Sequence, residues 1–214
     1  MTETNALLRE PWDSFARQRD AGRFGIWVFL ASEMLFFGAL MATYAICRTE
    51  NAAAFSAAGR ETDIWYGTIN TVILLTSSLT MAMASQAASS GRDFRQLMIG
   101  CLSATALLGL AFLVVKGFEY KEDIDKGLIP GLHFSLPQAA AQLFFGFYWL
   151  VTAVHAIHLT IGIVLVSRLA LLGYLKRLPL RCNPELEVTA LYWHLVDIVW
   201  IFLYPLIYLP GRAS

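Results

Sequence analysis

Three ionisable side chains interrupt stretches that are otherwise apolar: Glu33, His158 and Asp197. Each sits inside a hydrophobic run long enough to cross a membrane, where a charge costs several kcal/mol and by default marks function. His155 precedes His158 by three residues, and His194 precedes Asp197 by three. At helical spacing such pairs share a face. A carboxylate beside an imidazole can hold a charge or share a proton, and the simplest arrangement turns both faces inward, with Glu33 or Asp197 accepting from a histidine. These residue types leave three chemistries open: hydrogen bonds that keep a helix bundle in register, proton handling beside a neighbouring subunit, or contact with a lipid headgroup or ligand. Metal binding fits poorly, because His155 and His158 lack the HExxH spacing and no cysteine or third ligand shares their face. A pair of membrane haems fits no better. It would need four histidines near the two surfaces, whereas His155, His158 and His194 cluster and His133 lies in a loop.

The elements that must position these groups follow from composition. Of 214 residues, 57% are hydrophobic and 15% charged, against about 25% charged in soluble domains. A water-soluble enzyme is excluded. Sixteen basic and sixteen acidic residues cancel, so no nucleic-acid partner is indicated. Cys47, Cys101 and Cys182 are too widely spaced for a disulfide framework or a zinc knuckle.

A spanning helix needs about 20 apolar residues, and five stretches qualify: 24–47, 64–89, 94–115, 138–167 and 191–209. Barrel-like alternation is absent, and lone strands cannot satisfy their backbone in lipid. The predicted fold is therefore all-α, an integral membrane bundle of five transmembrane helices. A polar segment, 1–23, is too long and too mixed in sign for a secretory leader; it precedes one membrane domain, 24–214. The second stretch is rich in Thr68, Thr71, Ser77, Ser78 and Thr80, as close helix packing requires. Pro205 should kink the last helix. The acidic stretch 116–137, with Glu119, Glu122, Asp123 and Asp125, reads as a solvated loop between a helix end and the next span.

Ten of the sixteen lysines and arginines fall in the N-terminal segment, about the second turn and in the fourth loop. By the positive-inside rule the N-terminus is cytoplasmic and the C-terminus outside. Counting along the helices at 1.5 Å per residue then puts Glu33, His158 and Asp197 roughly 9–14 Å below the cytoplasmic boundary. Three separate segments place their costly side chains in one layer.

The motifs that carry these residues are themselves recognisable. W-V-F-L-A-S-E-M-L-F-F at 27–37, followed by A-T-Y at 42–44, resembles the first core helix of the haem–copper oxidase subunit III family. G-F-E-Y at 117–120 is similar to its Glu-Tyr signature, here Glu119 and Tyr120. H-A-I-H-L-T-I-G at 155–162 matches its His-x-x-His-x-x-x-Gly helix, and Y-W-H-L-V-D-I-V-W at 192–200 its terminal Trp-His-Phe-Val-Asp-x-Val-Trp signature, with Trp193 and Trp200. Leu195 departs from the family's common phenylalanine.

The resemblance is to the short, five-helix form of cytochrome c oxidase subunit III, in a bacterial-type cytoplasmic membrane. It implies an accessory subunit with no catalytic residue, cofactor or metal of its own. Haem and copper would sit in catalytic subunit I, and subunit II would accept electrons from cytochrome c or quinol. It further implies bound phospholipid, a place near a proton-uptake channel, and protection of subunit I from inactivation during turnover. Glu33 becomes the family's buried glutamate, and His155, His158, His194 and Asp197 fall on signature positions. Accessory subunits of quinol oxidases and nitric oxide reductases share the short form. A small transporter using Glu33 and Asp197 as relay groups, or a membrane electron carrier, are the alternatives of other classes.

Overall fold

A computed structural model describes residues 13–89, 94–131, 134–136, 139–176 and 183–212. Six helices run in order: α1 Phe15–Glu50, α2 Ala52–Glu61, α3 Ile64–Ser89, α4 Arg95–Asp125, α5 Ala139–Tyr174 and α6 Pro184–Tyr208. All but α2 are long and apolar enough to cross a membrane, and no strand occurs among the described residues. The all-α bundle of five spanning helices is what the sequence predicts. The turn at 90–93 and His133 lie outside the described residues.

Several helix limits differ from the sequence expectation, among them the end of α5, which runs seven residues past 167 to Tyr174. Residues 15–23 of the polar stretch belong to the bundle, because α1 begins at Phe15. Ser14 Oγ accepts from the Arg17 amide at 3.4 Å and caps it. Arg23 then donates to Glu187 Oε1 of α6 from both Nε and Nη2, at 2.9 and 2.6 Å. Between the first two spans the short helix α2 occupies residues that the apolar runs leave out. It forms because Phe55 and Ala58 are wholly buried, and it is clamped by the C-terminus: Arg60 Nε donates to the Gly211 carbonyl at 2.9 Å, and Arg212 to the carbonyls of Arg60 and Thr62. Gly211 adopts φ +75°, with Ser56 O only 2.4 Å from where a Cβ would stand, so a side chain there would break the clamp. At the other end, α6 begins at Pro184, seven residues earlier than the apolar run, because Asn183 Oδ1 caps the Glu185 amide at 2.9 Å.

The largest correction concerns the acidic stretch. Helix α4 continues ten residues past 115, to Asp125, so residues 116, 119, 120 and 123 fall on one face. Glu119 and Asp123 are 1% and 3% exposed. Only the opposite face is solvated, where Glu122 pairs with Lys126 at 2.7 Å.

Helix α3 packs on α4 and α6, α5 on the same two helices, and α1 lies mainly along α6. The hydroxyls of α3 serve these contacts: Thr68 bonds Tyr204 at 2.8 Å, Thr71 accepts from Trp200 at 3.1 Å, Ser77 accepts from Trp193 at 3.2 Å, and Thr80 meets Thr105 at 2.8 Å. Gly67 lets α3 approach α6, since a Cβ there would stand 2.9 Å from the Tyr208 ring and 3.0 Å from that of Tyr204. Gly67→Ala is accordingly expected to cost about 1–3 kcal/mol by overpacking, read as a lower unfolding midpoint of the detergent-solubilised chain; an unchanged midpoint would refute the close contact.

Candidate functional site

Glu33 and His158 meet across α1 and α5, with His158 Nε2 3.0 Å from Glu33 Oε2. His158 Nδ1 lies 2.9 Å from the carbonyl of Val154. A carbonyl only accepts, so Nδ1 carries a hydrogen. The contact on the other ring nitrogen then contains one more proton, either as imidazolium with carboxylate or as imidazole with carboxylic acid. Whichever form it takes, the pair shares a single proton at mid-span. Phe37 covers the imidazole edge-on at 5.3 Å, and Tyr192 Oη donates to the His158 carbonyl at 3.0 Å.

His155 does not join this pair, although the three-residue spacing suggested a common direction. It is 1% exposed and packs between Phe112, edge-on, and Trp200, tilted, at centroid distances of 5.7 and 5.1 Å, with neither ring nitrogen hydrogen-bonded. The two histidines therefore face different neighbours.

His194 and Asp197 form a second group on the far side of α6. His194 Nδ1 lies 2.9 Å from Ser78 Oγ and 3.9 Å from Asp197 Oδ2. Asp197 is 3% exposed, and Ser78 is the hydroxyl that reaches its carboxylate. His194 borders a cleft of about 670 Å³ between α1, α3 and α6, which also meets Arg23, Gln86 and Glu187. Because His155 packs on Trp200, and α5 and α6 run in opposite directions, Asp197 falls level with His158, three residues along in each helix. The three costly residues share a height without forming one cluster.

A third polar group, centred on Lys116, escaped the sequence reading. Its Nζ donates to Tyr208 Oη at 2.8 Å and Tyr148 Oη at 3.2 Å and pairs with Glu119 Oε2 at 3.1 Å. Tyr148 Oη lies 2.9 Å from Glu119 Oε1 and 2.5 Å from Asp123 Oδ2, and Tyr208 Oη 2.6 Å from Glu119 Oε1. Tyr120 turns aside to bond Thr152 at 2.7 Å and offers its ring to the ammonium at 5.0 Å. The signal for this group was available, since Lys116, Glu119, Tyr120 and Asp123 follow the i, i+3, i+4, i+7 pattern of one helix face.

Among the described residues no three histidine, cysteine, aspartate or glutamate side chains come together as a metal site would require. What the interior offers is buried polar contacts held by aromatic walls.

The comparison with known families decides what kind of protein carries this interior. The model of the family described as "Cytochrome c oxidase subunit III" matches residues 14–212. The chain belongs to that family. It is 33% identical over 190 residues to cytochrome c oxidase subunit 3 of Bacillus subtilis, covering 89% of this chain and 86% of that one. It is 28% identical to cytochrome bo(3) ubiquinol oxidase subunit 3 of Pseudomonas aeruginosa, covering 88% and 84%. A third relative, "Heme-copper oxidase subunit I+III" of Aeropyrum pernix, is 30% identical over 89% of this chain but only 23% of its own length.

Family membership gives the signature residues a physical reading. In this subunit III chain, Trp193 is fully buried and its indole crosses Gly109 of α4 and Gly162 of α5, where a Cβ would stand 2.9 and 3.1 Å from it. The glycine that closes the His-x-x-His-x-x-x-Gly motif is the seat of the tryptophan that opens the terminal one. Glu119 is the counter-ion of Lys116, and Trp200 roofs both His155 and, at 5.8 Å, the Lys116 ammonium.

Proposed function

We propose that this chain is the non-catalytic subunit III of a respiratory cytochrome c oxidase, stabilising the haem- and copper-bearing subunit I, binding phospholipid and supporting proton uptake during oxygen reduction. The observation that carries this reading is the Glu33–His158 pair. It shares one proton at mid-span, and its two side chains keep 18% and 17% exposure on the α1 flank. A partner helix or a water chain can reach it there. A relative whose printed name joins subunits I and III in one chain supports subunit I as the neighbour.

Lipid fits two clefts at the end of the bundle that holds the start of α6. One is the 670 Å³ cleft beside the Arg23–Glu187 pair. The other, about 470 Å³, lies between α1, α5 and α6 beside Arg168 and Glu185. Each combines an apolar wall with a cation near the helix ends, which suits a phospholipid headgroup and acyl chain. The same end carries the excess of lysine and arginine in the sequence and is the cytoplasmic one in this proposal, with the C-terminus outside.

Removal of this chain from the purified complex is expected to leave oxygen reduction and haem content intact, while proton uptake slows and activity decays sooner during turnover. Glu33→Ala is expected to shorten turnover lifetime in the same way, with haem content unchanged. Loss of haem reduction on removing the chain would contradict an accessory role, and an unaltered lifetime in Glu33→Ala would remove the carboxylate from it. A quinol-oxidase setting is the second reading, favoured by the bo(3)-type relative. Oxidation of reduced cytochrome c or of quinol by the intact complex separates the two.

A further inference from the structure

The Lys116 cluster contains more oxygen–oxygen contacts than its ordinary protons can fill. Three such contacts converge there: Tyr148 with Asp123 at 2.5 Å, Tyr148 with Glu119 at 2.9 Å, and Tyr208 with Glu119 at 2.6 Å. Ionised carboxylates only accept, so the protons must come from two phenols, each with one O–H. Tyr208 spends its proton on Glu119. Tyr148 has one proton for two carboxylates, and whichever contact it leaves empty sets two lone-pair-bearing oxygens within 3 Å of each other in a buried site. Lys116 cannot help, because its ammonium hydrogens point at other atoms of the cluster and cannot lie between two oxygens.

No other donor is at hand among the described side chains. Lys126 is engaged by Glu122 at 2.7 Å, Tyr66 of α3 also turns to Glu122, and Tyr120 bonds Thr152. Charge counting gives the same answer as hydrogen counting. Lys116, Glu119 and Asp123 as free ions sum to one net negative charge, placed where all three side chains are 3% exposed or less, and an uncompensated buried charge is strongly disfavoured.

We propose that this cluster is a proton-binding site, taking one proton from solvent and holding it between Asp123 and Tyr148. Asp123 then donates to Tyr148, Tyr148 donates to Glu119, Tyr208 donates to Glu119, and Lys116 balances the single remaining carboxylate. Every contact is filled and the cluster is neutral. The site lies at the opposite end of α6 from the two clefts, ties α4, α5 and α6 together, and is separate from the proton shared by Glu33 and His158. It does not rest on the oxidase function proposed above.

The test is infrared spectroscopy of the detergent-solubilised full chain, with whatever subunits co-purify, after labelling aspartate with carbon-13 at the side-chain carboxyl. A protonated aspartic acid band that shifts with the label is expected in the wild type. Asp123→Asn should remove it and yield folded chain within about twofold of wild type, because the amide can donate to Tyr148 as the acid does. Asp197→Asn should leave the Asp123 band in place. Glu119→Gln should also remove it, since Asp123 must then ionise to balance Lys116. The double variant Glu119→Gln/Asp123→Asn leaves Lys116 without a carboxylate and should lower the yield of folded chain by roughly tenfold or more. Labelled spectra that are the same in wild type and Asp123→Asn would overturn the proposal, as would failure of Asp123→Asn to fold, which would mean that a negative charge is needed there.

Discussion

Lys116→Met is expected to destabilise the chain by about 3–5 kcal/mol, the usual cost of leaving one partner of a buried ion pair uncompensated. Methionine replaces the alkyl stem nearly atom for atom, so packing is little disturbed. What is lost is the ammonium that Glu119, Tyr148 and Tyr208 surround at 3.1, 3.2 and 2.8 Å, over four aromatic rings. The damage should therefore be electrostatic and reversible by a second change. Lys116→Met/Glu119→Gln removes both charges, and replacing a buried pair by neutral groups of similar volume is often nearly neutral. Recovery of most of the lost stability in the double variant, measured by thermal unfolding in detergent, is the coupling expected of groups in direct contact. A Lys116→Met chain that unfolds with the wild-type midpoint would mean that the ammonium is solvated, contrary to its 2% exposure.

This cluster also marks the boundary of what the amino-acid order discloses. The five spans are legible because lipid imposes one coarse requirement, an apolar run of sufficient length, and few other sequences meet it. Glu33, His158 and Asp197 are legible for the converse reason, as exceptions inside those runs. Lys116, Glu119 and Asp123 fall where hydropathy has already declined, and there a buried network and a solvated loop have the same composition. Periodicity alone distinguishes them, and its meaning depends on tyrosines thirty and ninety residues away, Tyr148 and Tyr208, which sequence spacing does not connect. His155 fails differently. Residues three apart are offset by about 60° around a helix. That offset suffices to set His158 against Glu33 and His155 between Phe112 and Trp200. A shared face is thus a weaker statement than a shared partner, and partner identity is fixed by tertiary packing. The same limit applies to Arg23 and Glu187: each looks like an ordinary polar flank, and only the crossing of α1 over α6 pairs them at 2.6 Å.

Trp193→Ala is expected to be the most damaging apolar substitution, costing about 3–5 kcal/mol as large-to-small changes of buried aromatics do. Helices in lipid gain little from burying apolar surface against one another, so close packing and interhelical hydrogen bonds hold the bundle. Trp193 concentrates both. It is wholly buried, it donates to Ser77 Oγ of α3 at 3.2 Å, and its ring fills the space left by Gly109 on α4 and Gly162 on α5. One side chain of α6 thus joins three other helices. Neighbouring glycines cannot expand into the cavity that alanine would leave, and the surrounding backbones must either move or bound a void. Trp193→Phe keeps a ring but loses the donor, and a smaller loss is expected from it. Gly109→Ala attacks the same joint from the other side, since its Cβ would stand 2.8 Å from Ile163 Cγ1 and 2.9 Å from the indole. Alone it should cost about 1–3 kcal/mol by overpacking. Combined with Trp193→Phe, which vacates part of that space, the two losses should sum to less than their separate values, as contacting residues do. Additive losses would show that the glycine and the tryptophan do not meet, and the packing account of the two family motifs would fail with them.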